Sequence, residues 1–480
     1  MQLSQLLENV NIISNTAQMQ SQVSTVTDDS RKVTVGSVFV CIQGNNFDGH
    51  TKAAQALSQG AVAVVTERDL GIDNQIVTDN TRAAYALMCS SLFGNPERQL
   101  KIIGVTGTNG KTTTCFLIHD ILTRMGYSCG LIGTVKTVIG DEEIEATLTT
   151  PDPIQLYEYF RKMVDAGCEY CVMEASSQAL AQRRLQGVRF SSAIFTNLTQ
   201  DHLDYHGSFE NYIAAKHMLF ENTDLAVINL DDAAANKMIE GVSCPVVSFS
   251  IKNDKADFAA KNPNIKSTGA EYELVSKNFI KRIRFKVPGE FSVYNSMGAV
   301  VCLARMGLPI DEIVEAVALF NSVPGRMEVV PTDTDYTVII DYAHTPDALE
   351  NVIKTLQKIT AGKTIVVFGC GGDRDSTKRP IMGKIAAENA DMVIVTSDNP
   401  RTEDPEKIID DIMAGTQKAK VPVYRIADRR EAIERAMKKA KSGDFILLAG
   451  KGQETYQIIG HEKHHMDERE IVAGILNGKK

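Results

Sequence analysis

Six consecutive residues, numbers 107–112, carry the sequence GTNGKT and combine residue types that bind phosphate. Glycines let backbone N–H groups approach an anion, and the N-terminus of a following helix adds a favourable dipole. Lys111 can reach the β- and γ-phosphates of a nucleotide, and the Thr112 hydroxyl can ligate magnesium. The strict G-x-x-x-x-G-K-S/T pattern is not met, because its first glycine falls at Val105. The alternative interpretation is an ordinary glycine turn.

A second group of candidate residues supplies carboxylates and imidazoles. Glu174 and the pair Thr196-Asn197 each follow a predicted strand, and residues 201–207 (DHLDYHG) come shortly afterwards. Ligands of parallel sheets bind at the carboxyl ends of the strands. Carboxylates are good magnesium ligands, and two metal ions can clamp a triphosphate. We therefore expect magnesium beside the nucleotide; the alternative is a set of unrelated polar loop residues.

Lys216 lies on the apolar stripe of a predicted amphipathic helix, residues 210–220. Tyr212 and Phe220, four residues before and after it, belong to the same stripe. The side chain therefore either points into the site or snorkels, with its ammonium in water. The sequence pattern by itself favours the snorkelling interpretation.

The phosphate loop lies between two predicted elements that would hold it in place. Residues 102–105 form an apolar run typical of a buried strand, and apolar residues then recur at helical spacing up to Gly126. Further strand-like runs at residues 170–173, 193–195 and 225–228 alternate with helical stretches. We therefore expect βαβ units and a parallel sheet in this part of the chain.

Four more strand-like runs follow residue 328, and each ends in polar or glycine-rich sequence. The runs are residues 338–340, 365–368, 392–395 and 445–448. Such strand ends are hard to explain by packing, and they indicate a second doubly wound sheet with its own site. The glycine cluster at residues 369–372 does not fit G-x-G-x-x-G, so a dinucleotide site is disfavoured.

The chain is predicted to form three α/β domains: a small N-terminal α/β domain, a central P-loop ATPase-like domain with a parallel sheet, and a C-terminal Rossmann-like domain. Their expected bounds are residues 1–98, 99–328 and 329–480. Turn residues mark both junctions, at Gly94-Asn95-Pro96 and at Pro324-Gly325. A length of 480 residues suits about three domains.

Composition argues against several classes of protein. Hydrophobic residues make up 43% of the chain, and the net charge of −9 disfavours a nucleic-acid binder with a broad basic face. No run approaches the ~20 apolar residues of a membrane span, and the N-terminal residues do not predict a signal peptide. The nine scattered cysteines, an odd number, suit free thiols in a reducing cytoplasm.

Seven segments together resemble the Mur ligases, the ATP-dependent amino-acid-adding enzymes of peptidoglycan synthesis. They span nearly the whole chain: residues 107–113, 149–152 (TTPD), 174–177 (EASS), 195–198 (FTNL), 201–207, 324–328 (PGRME) and 341–349. The resemblance is strongest to the branch that adds the third residue of the peptide. Within that branch, Asp398-Asn399-Pro400-Arg401 is similar to the signature of members that add meso-diaminopimelate.

The resemblance implies that the chemistry is carboxylate activation. ATP would phosphorylate the D-glutamate carboxylate of UDP-N-acetylmuramoyl-L-alanyl-D-glutamate, and an amine of meso-diaminopimelate would attack the acyl phosphate. The implied cofactors are ATP and Mg²⁺. We expect a cytoplasmic monomer that acts in cell-wall synthesis, with no nucleic-acid partner and no membrane span.

The same resemblance implies a role for each matching residue. The ATP contacts are Gly107, Thr108, Asn109, Gly110, Lys111, Thr112, Thr113, Asn295, Arg326 and Asp341. The metal ligands are Thr112 and Glu174 for one magnesium ion, and His202 with a carbamylated Lys216 for the other. The contacts to the UDP substrate are Ser30, Thr149, Thr150, Ser176, Gln182 and Arg184. The contacts to the amino acid are Arg374, Asp398, Asn399, Pro400, Arg401, Gly450 and Glu454. The catalytic residues are Lys111, Lys216 and His344, with His344 near the transferred phosphate.

The chain departs from the family pattern at Gln178, where relatives often have histidine, and at Ser292, where many have asparagine. Neither departure removes a metal or phosphate ligand. The alternatives are an L-lysine-adding ligase, a folylpolyglutamate synthetase and a non-ligase phosphate-loop module. The first domain and residues 398–401 argue against the synthetase. A non-ligase module would need neither the cluster at residues 341–344 nor a second polar-ended sheet.

Overall fold

The computed structural model of the protein describes residues 1–44, 47–266 and 269–478, and within them three large β-sheets follow one another along the chain. Helices pack against each sheet, so the predicted α/β fold with three sheet-containing regions is confirmed. Within the described residues, none of the helices is long and apolar enough to cross a membrane.

The N-terminal sheet has five strands among the described residues and is covered on both faces. The strands are β1 Ile12–Asn15, β2 Thr25–Thr27, β3 Ser37–Val40, β4 Ala63–Thr66 and β5 Gln75–Thr78, and the helices are α1 Leu3–Leu6, α2 Ala53–Ser58 and α3 Thr81–Leu92. Their order is β1-β5-β4-β3-β2, and only β1 runs antiparallel to its neighbour. Every residue of β3, β4 and β5 is buried, as expected for a parallel sheet covered on both sides.

The central sheet carries the phosphate loop. Its strands are β6 Lys101–Thr106, β7 Cys129–Ile132, β8 Lys136–Ile139, β9 Glu142–Glu145, β10 Tyr170–Glu174, β11 Ser192–Phe195, β12 Ala226–Asn229, β13 Val246–Ser250, β14 Phe258–Lys266, β15 Gly269–Ser276 and β16 Ile280–Phe285. Its helices are α4 Lys111–Arg124, α5 Pro153–Asp165, α6 Ser177–Ala181, α7 Leu203–His206, α8 Phe209–His217, α9 Ala235–Met238, α10 Glu290–Arg305 and α11 Ile310–Leu319. The order β16-β15-β14-β13-β12-β11-β6-β10-β7-β8-β9 places β6 between β11 and β10.

The central sheet is parallel from β14 to β7, as predicted, and antiparallel at both edges. The prediction of a parallel sheet does not include the antiparallel edge strands, which are β15, β16, β8 and β9. In β16 the buried residues alternate with exposed ones, because an antiparallel edge sheet needs only one apolar face.

The C-terminal sheet has six strands in the described part of the chain. Its strands are β17 Glu328–Val330, β18 Thr337–Asp341, β19 Thr364–Phe368, β20 Met392–Val395, β21 Val423–Arg425 and β22 Phe445–Ala449, and a separate hairpin pairs β23 Tyr456–Ile459 with β24 Glu462–His465. Its helices are α12 Pro346–Ile359, α13 Lys378–Asn389, α14 Pro405–Ala414, α15 Arg429–Lys439 and α16 Glu468–Leu476. The order is β17-β18-β22-β19-β20-β21, and all pairs except β17–β18 are parallel.

The predicted boundary after residue 98 falls between the first two sheets, whereas the predicted boundary after residue 328 falls within the first strand of the C-terminal sheet. The boundary after residue 98 lies in a single-turn 3-10 helix, Pro96–Gln99, just before β6. The boundary after residue 328 lies at the first residue of β17. Because parallel strands share a direction, the carboxyl ends of β6, β10 and β11 meet at one edge, and those of β18, β19, β20 and β22 meet at another.

Candidate active site

The phosphate loop connects β6 to α4 and depends on two glycines for its shape. Gly107 has a φ of +152°, and a Cβ at this position would lie 1.9 Å from Thr196 Oγ1. Gly110 has a φ of +88°, and a Cβ there would lie 2.3 Å from Asn295 Oδ1. Side chains are therefore excluded at both positions. Helix α4 begins at Lys111, so its N-terminus faces the loop.

Residues that follow β11 hold the loop in place. Asn197 accepts a hydrogen bond from Asn109 N at 2.9 Å and donates one to Asn109 O at 3.0 Å. Thr196 Oγ1 donates to the same carbonyl at 2.6 Å. Asn109 Nδ2 donates to Asp347 of α12 at 2.9 Å. The loop is therefore fixed both by its own sheet and by the first helix after β18.

Two lysine ammoniums converge on the Gly107 carbonyl. Lys111 Nζ lies 2.9 Å from this oxygen, and Lys216 Nζ lies 2.7 Å from it. Lys216 is 1% exposed, and its ammonium is 4.6 Å from the centre of the Tyr212 ring. Burial lowers the pKa of Lys216 well below its usual value, and the charge of Lys111 lowers it further. The snorkelling interpretation of Lys216 is therefore wrong, because α8 packs this stripe beneath the loop and away from water.

Glu174, at the end of β10, is buried and accepts three hydrogen bonds. Thr112 Oγ1 donates to it at 3.0 Å, and Thr134 donates through its backbone N at 2.8 Å and its hydroxyl at 3.1 Å. A Cβ at Gly133 would lie 2.6 Å from the Glu174 carboxylate, so the backbone of Gly133 approaches this carboxylate closely. The adjacent oxygens of Thr112 and Glu174 are hard donors of the kind Mg²⁺ prefers. These two residues fit the predicted role of magnesium ligands.

His202 precedes α7 with a φ of +52°, and its Nε2 lies 3.5 Å from Asp201 Oδ2. His202 and Lys216 lie against the same ring, with the His202 ring centre 6.4 Å from that of Tyr212. Among the described residues, no group of three or more His, Cys, Asp or Glu side chains is arranged to hold a metal ion. A carbamate on Lys216 would add oxygen ligands beside the Tyr212 ring, against which His202 also lies.

The nucleotide cavity, as we name it, has a volume of about 320 Å³ and lies above the phosphate loop. Its walls include Asn295 of α10, Arg326 and Asp341. The Arg326 guanidinium lies 4.3 Å from the centre of the Tyr342 ring. Asp341 accepts hydrogen bonds from two backbone N–H groups, at 2.7 and 2.8 Å, and burial raises the pKa of its carboxyl. Residues from the central and C-terminal sheets thus enclose one cavity.

The amino-acid cavity, as we name the larger one, has a volume of about 1120 Å³ and lies over the strand ends of the C-terminal sheet. Its walls include the predicted residues Arg374, Asp398, Asn399, Arg401, Gly450 and Glu454. Five residues line both cavities: Asp201, His202, Tyr342, His344 and Thr345. The two cavities therefore meet at a junction.

His344 stands on the wall that the two cavities share. Its Nδ1 hydrogen-bonds with Tyr342 O at 2.8 Å, and its ring packs edge-on against that of Tyr342. Lys378 Nζ donates to the carbonyl of His344 at 2.9 Å. His344 is an exposed residue, but desolvation of its ring between the cavity walls and the charge of Lys378 lower its pKa to about 4. The imidazole is therefore neutral at pH 7.

Arg401 is half-buried and held in a left-handed backbone conformation, with a φ of +50°. Its N–H donates to Ile458 O at 3.0 Å and its carbonyl accepts from Gly460 N at 2.7 Å. Its guanidinium donates to Gly372 O at 2.8 Å. Both the backbone and the guanidinium of Arg401 are therefore held by neighbouring backbone groups. Strain that the surroundings enforce in this way is typical of functional positions.

Three of the other predicted amino-acid contacts, Asp398, Asn399 and Glu454, form a hydrogen-bonded group, whereas the exposed Arg374 donates, among the described residues, only to Asp373 O. Asn399 Nδ2 donates to Glu454 Oε2 at 2.8 Å, and Asn399 N donates to Asp398 Oδ1 at 2.6 Å. Gly450 has a φ of +108°, and a Cβ there would lie 2.6 Å from Asp398 Oδ2. Pro400 is buried next to them. The loops that follow β20 and β22 thus contact each other, although β19 separates the two strands in the sheet.

Five of the six predicted contacts to the UDP substrate lie together. Thr150 Oγ1 donates to Ser176 Oγ at 3.2 Å, and Arg184 donates to Thr150 O at 2.8 Å and to Gln182 Oε1 at 3.0 Å. The hydroxyl of Thr149 lies 3.0 Å from that of Thr134, which bonds Glu174. Ser30 stands apart in a 3-10 helix after β2, and no hydrogen bond between described residues joins it to the others.

Sequence reasoning missed four residues of the site. Thr134 orients Glu174, Asp347 anchors the phosphate loop, and Lys378 contacts His344. The fourth is Lys451, which is 0% exposed and lies beneath Asn399. Thr134 and Lys378 carry no motif. Asp347 and Lys451 lay inside stretches already noted as polar strand ends, but nothing in the sequence distinguished them from their neighbours.

Family models match most of the chain. The Mur ligase family catalytic domain matches residues 22–89, the Mur ligase middle domain matches residues 105–303, and the Mur ligase glutamate ligase domain matches residues 325–452. The second match includes the phosphate loop, and the third includes His344, Arg401 and Lys451.

Similar proteins extend over the full length of the chain. A UDP-N-acetylmuramoyl-L-alanyl-D-glutamate--2,6-diaminopimelate ligase from Clostridium perfringens is 45% identical and aligns over 96% of both chains. The ligase of the same name from Clostridioides difficile is 43% identical over 99% of this chain and 100% of its own. A solved structure of a ligase with this name superposes with a TM-score of 0.73 at 35% identity, covering 100% of this chain and 99% of the other.

Proposed function

The chain belongs to the Mur ligase family, and we propose that it joins meso-diaminopimelate to UDP-N-acetylmuramoyl-L-alanyl-D-glutamate in an ATP-dependent reaction of peptidoglycan synthesis. The observation that carries this proposal is the junction of the two cavities at His344, Asp201 and His202. A phosphoryl group leaving ATP in one cavity can reach a carboxylate that an amine approaches from the other.

The first step takes place above the phosphate loop. A carboxylate oxygen of the D-glutamate residue attacks the γ-phosphorus, the bond to the bridging oxygen breaks, and ADP leaves. The backbone of residues 107–110 and the ammonium of Lys111 surround the phosphates, where charge-assisted hydrogen bonds strengthen as negative charge moves toward the leaving group. Asn295, Arg326 and Asp341 contact the rest of the nucleotide from the walls of the cavity.

We propose that Thr112 and Glu174 hold one magnesium ion and that His202 and Lys216 hold a second. When bound, the ions supply positive charge to the phosphate oxygens in the transition state. Lys216 is suited to modification, because its lowered pKa favours the neutral amine, the form that adds carbon dioxide. The amine loses one proton and gains a carboxylate group. An ammonium, which repels cations, thereby becomes an oxygen ligand.

The second step takes place at the junction. The amine of diaminopimelate attacks the acyl carbon and phosphate leaves, so that an amide forms. His344 is neutral at pH 7, and its ring can therefore donate or accept a hydrogen bond beside the transferred phosphate. The group Thr149, Thr150, Ser176, Gln182 and Arg184 holds the peptide of the UDP substrate, and Ser30 contacts its uridine.

The far end of diaminopimelate carries an ammonium and a carboxylate. We propose that Arg401 binds the carboxylate, because a guanidinium forms two parallel hydrogen bonds with that group. Glu454 and Asn399 contact the amino acid beside this carboxylate. Arg374, Asp398 and Gly450 complete the wall of the cavity. L-Lysine lacks this carboxylate and would leave Arg401 unpaired, so the site favours diaminopimelate by attraction and by exclusion.

We further propose that the enzyme acts as a cytoplasmic monomer, since both cavities are lined by residues of one chain and the cysteines are free thiols. The test is ADP release measured with each substrate omitted in turn, and with diaminopimelate or L-lysine as the amino acid. We expect release only when UDP substrate and amino acid are both present, and a higher kcat/KM with diaminopimelate. ADP release at the same rate without the UDP substrate would indicate a non-ligase nucleotide switch. A higher kcat/KM with L-lysine would change the assigned amino acid.

A further inference from the structure

Lys451, in the turn after β22, is one of the most buried charged residues of the protein. It is 0% exposed, and its ammonium lies 2.8 Å from Glu454 Oε2 and 3.1 Å from Asn399 Oδ1. The Tyr456 ring is 5.8 Å away. Both polar partners of Lys451 line the amino-acid cavity, whereas Lys451 itself does not. The ammonium therefore touches the substrate contacts from behind.

An ammonium can only donate hydrogen bonds, and this fixes the orientation of the Asn399 amide. Asn399 Oδ1 accepts from Lys451 Nζ and from Ile458 N at 2.9 Å. Asn399 Nδ2 must then face the other way, and it donates to Glu454 Oε2. Rotating the amide by half a turn would place NH₂ against the ammonium and against a backbone N–H. Lys451 and the Ile458 N–H together thus allow one orientation of the two.

Lys451 also selects which oxygen of Glu454 remains available. Oε2 accepts from both Lys451 and Asn399, whereas Oε1 accepts no hydrogen bond from any described residue. The Lys451 ammonium and the Glu454 carboxylate form an ion pair at 2.8 Å. One oxygen of a positioned anion is therefore left for a cationic group of a ligand in the cavity.

We propose that Lys451 is a positioning residue for binding of the amino acid, which fixes Asn399 and Glu454 to receive the far ammonium of diaminopimelate. This inference rests on the proposed function, since it concerns the same amino-acid site. Stability alone does not account for the residue, because buried ion pairs can often be replaced by apolar side chains at little loss. What an apolar residue cannot replace is the enforced orientation of the amide and the carboxylate.

The test is Lys451→Met in the full-length enzyme, with steady-state kinetics for each of the three substrates. Loss of a hydrogen bond to a charged group predicts that KM for diaminopimelate rises about 10-fold or more. We expect kcat to change by less than about 3-fold and KM for ATP and for the UDP substrate to stay the same, because only ground-state binding of one substrate is altered.

Lys463→Met is the matched control. Lys463 also lies over the Tyr456 ring, at 4.1 Å, but it is exposed and its nearest acid, Glu145, is 3.8 Å away. This variant should leave KM for diaminopimelate within about 2-fold of wild type, as expected for a weak surface pair. An equal rise in KM in both variants would assign the effect to the Tyr456 ring and overturn the proposal.

A second variant, Lys451→Gln, retains a donor and carries the test if the methionine variant does not fold. A rise in KM for diaminopimelate in either folded variant supports the proposal. A lower Tm or kcat with unchanged KM, or loss of soluble protein in both variants, would make Lys451 a stability residue and overturn it. If the wild-type enzyme does not use diaminopimelate at all, the proposed function fails instead, and the two failures are distinguishable.

Discussion

The buried lysines beside the two cavities differ in their partners. Beside the nucleotide cavity, Lys111 and Lys216 share one backbone carbonyl, and neither forms an ion pair with any described residue. Beside the amino-acid cavity, Lys451 is paired with Glu454 at 2.8 Å. The first arrangement leaves positive charge for an anionic ligand to neutralise, whereas the buried lysine of the second is already paired with a carboxylate. A triphosphate suits the first cavity, and a zwitterion with equal and opposite charges suits the second.

This contrast indicates where each ligand gains its binding energy. Cations without anionic partners in a low-dielectric site are costly until a phosphate or a carbamate arrives. The nucleotide cavity should therefore be sensitive to the loss of either lysine. The amino-acid cavity depends more on geometry, and losses there should affect one substrate rather than the whole reaction.

The largest effect is expected from Lys216→Ala, which removes a buried amine and the carbamate that we propose it carries. Turnover should fall by at least about 10³-fold, the upper end of what one lost electrostatic stabiliser costs. Lys216→Arg should be equally inactive, because a guanidinium keeps the charge but is not expected to form the carbamate. Added short carboxylates should partly restore turnover, because they would supply the missing oxygen ligands.

Intact mass of the wild-type enzyme gives an independent check on Lys216. In bicarbonate-containing buffer under native conditions the mass should exceed that of the sequence by one carbon dioxide, and the excess should be absent in Lys216→Ala. If the alanine variant turns over normally, the two cavities do not differ in the way proposed.

Lys111→Ala should lower turnover by about 10²-fold or more, because a charge-assisted contact to the leaving phosphate is lost. The fold should survive, since Lys111 contacts only backbone carbonyls of its own loop. Lys101→Ala, at the other end of β6, is the matched control and should be near wild type. Circular dichroism establishes folding in both. A folded Lys111→Ala enzyme with normal turnover would rule out its role at the phosphates.

Arg401→Ala tests the second cavity. Loss of one partner of a buried charge pair predicts that kcat/KM for diaminopimelate falls by roughly 30-fold, whereas that for L-lysine changes much less. Arg425→Ala is a suitable control, because Arg425 lies on the same sheet but is exposed and paired with Glu406. If the ratio between the two amino acids is the same in Arg401→Ala and wild type, Arg401 is not the selecting residue.

The smallest effect concerns His344, at the junction. Its pKa of about 4 in the folded protein lies below the ~6.5 of an unfolded chain, so between these values only the unfolded state binds the proton. This histidine therefore lowers stability as pH falls from ~6.5 to 4 and has no such effect above that range. The Tm of His344→Gln should fall less between pH 7 and pH 5 than the Tm of the wild type. Equal losses would contradict the lowered pKa.

The phosphate loop could be predicted from the sequence because its chemistry is local. Glycines at 107 and 110, a lysine and a hydroxyl are adjacent, and the strand and helix on either side have their own periodicity. From the residue pattern alone, the amino-acid cavity could be predicted only as a set of polar strand ends, and its individual contacts were implied by the resemblance to the Mur ligases. Its members come from the loops after β19, β20 and β22, and the order of strands that brings them together depends on long-range pairing.

Two lysines show why burial could not be inferred from pattern. Lys216 lies on an apolar stripe, where snorkelling is the usual outcome, yet the loop above it leaves the ammonium no path to water. Lys451 lies in a glycine-rich turn that predicts exposure, yet the hairpin β23–β24 and the strand ends cover it. In both residues burial is imposed by elements distant in sequence.

The central claim is that the carboxylate of the UDP substrate is phosphorylated in one cavity and attacked by an amine from the other. The direct test uses UDP substrate whose D-glutamate side-chain carboxylate carries heavy oxygen, with ATP and diaminopimelate, followed by mass analysis of the phosphate released. We predict one heavy oxygen atom in the inorganic phosphate for each amide formed, because the oxygen that attacks the γ-phosphorus leaves with it. Unlabelled phosphate accompanying amide formation would contradict the account.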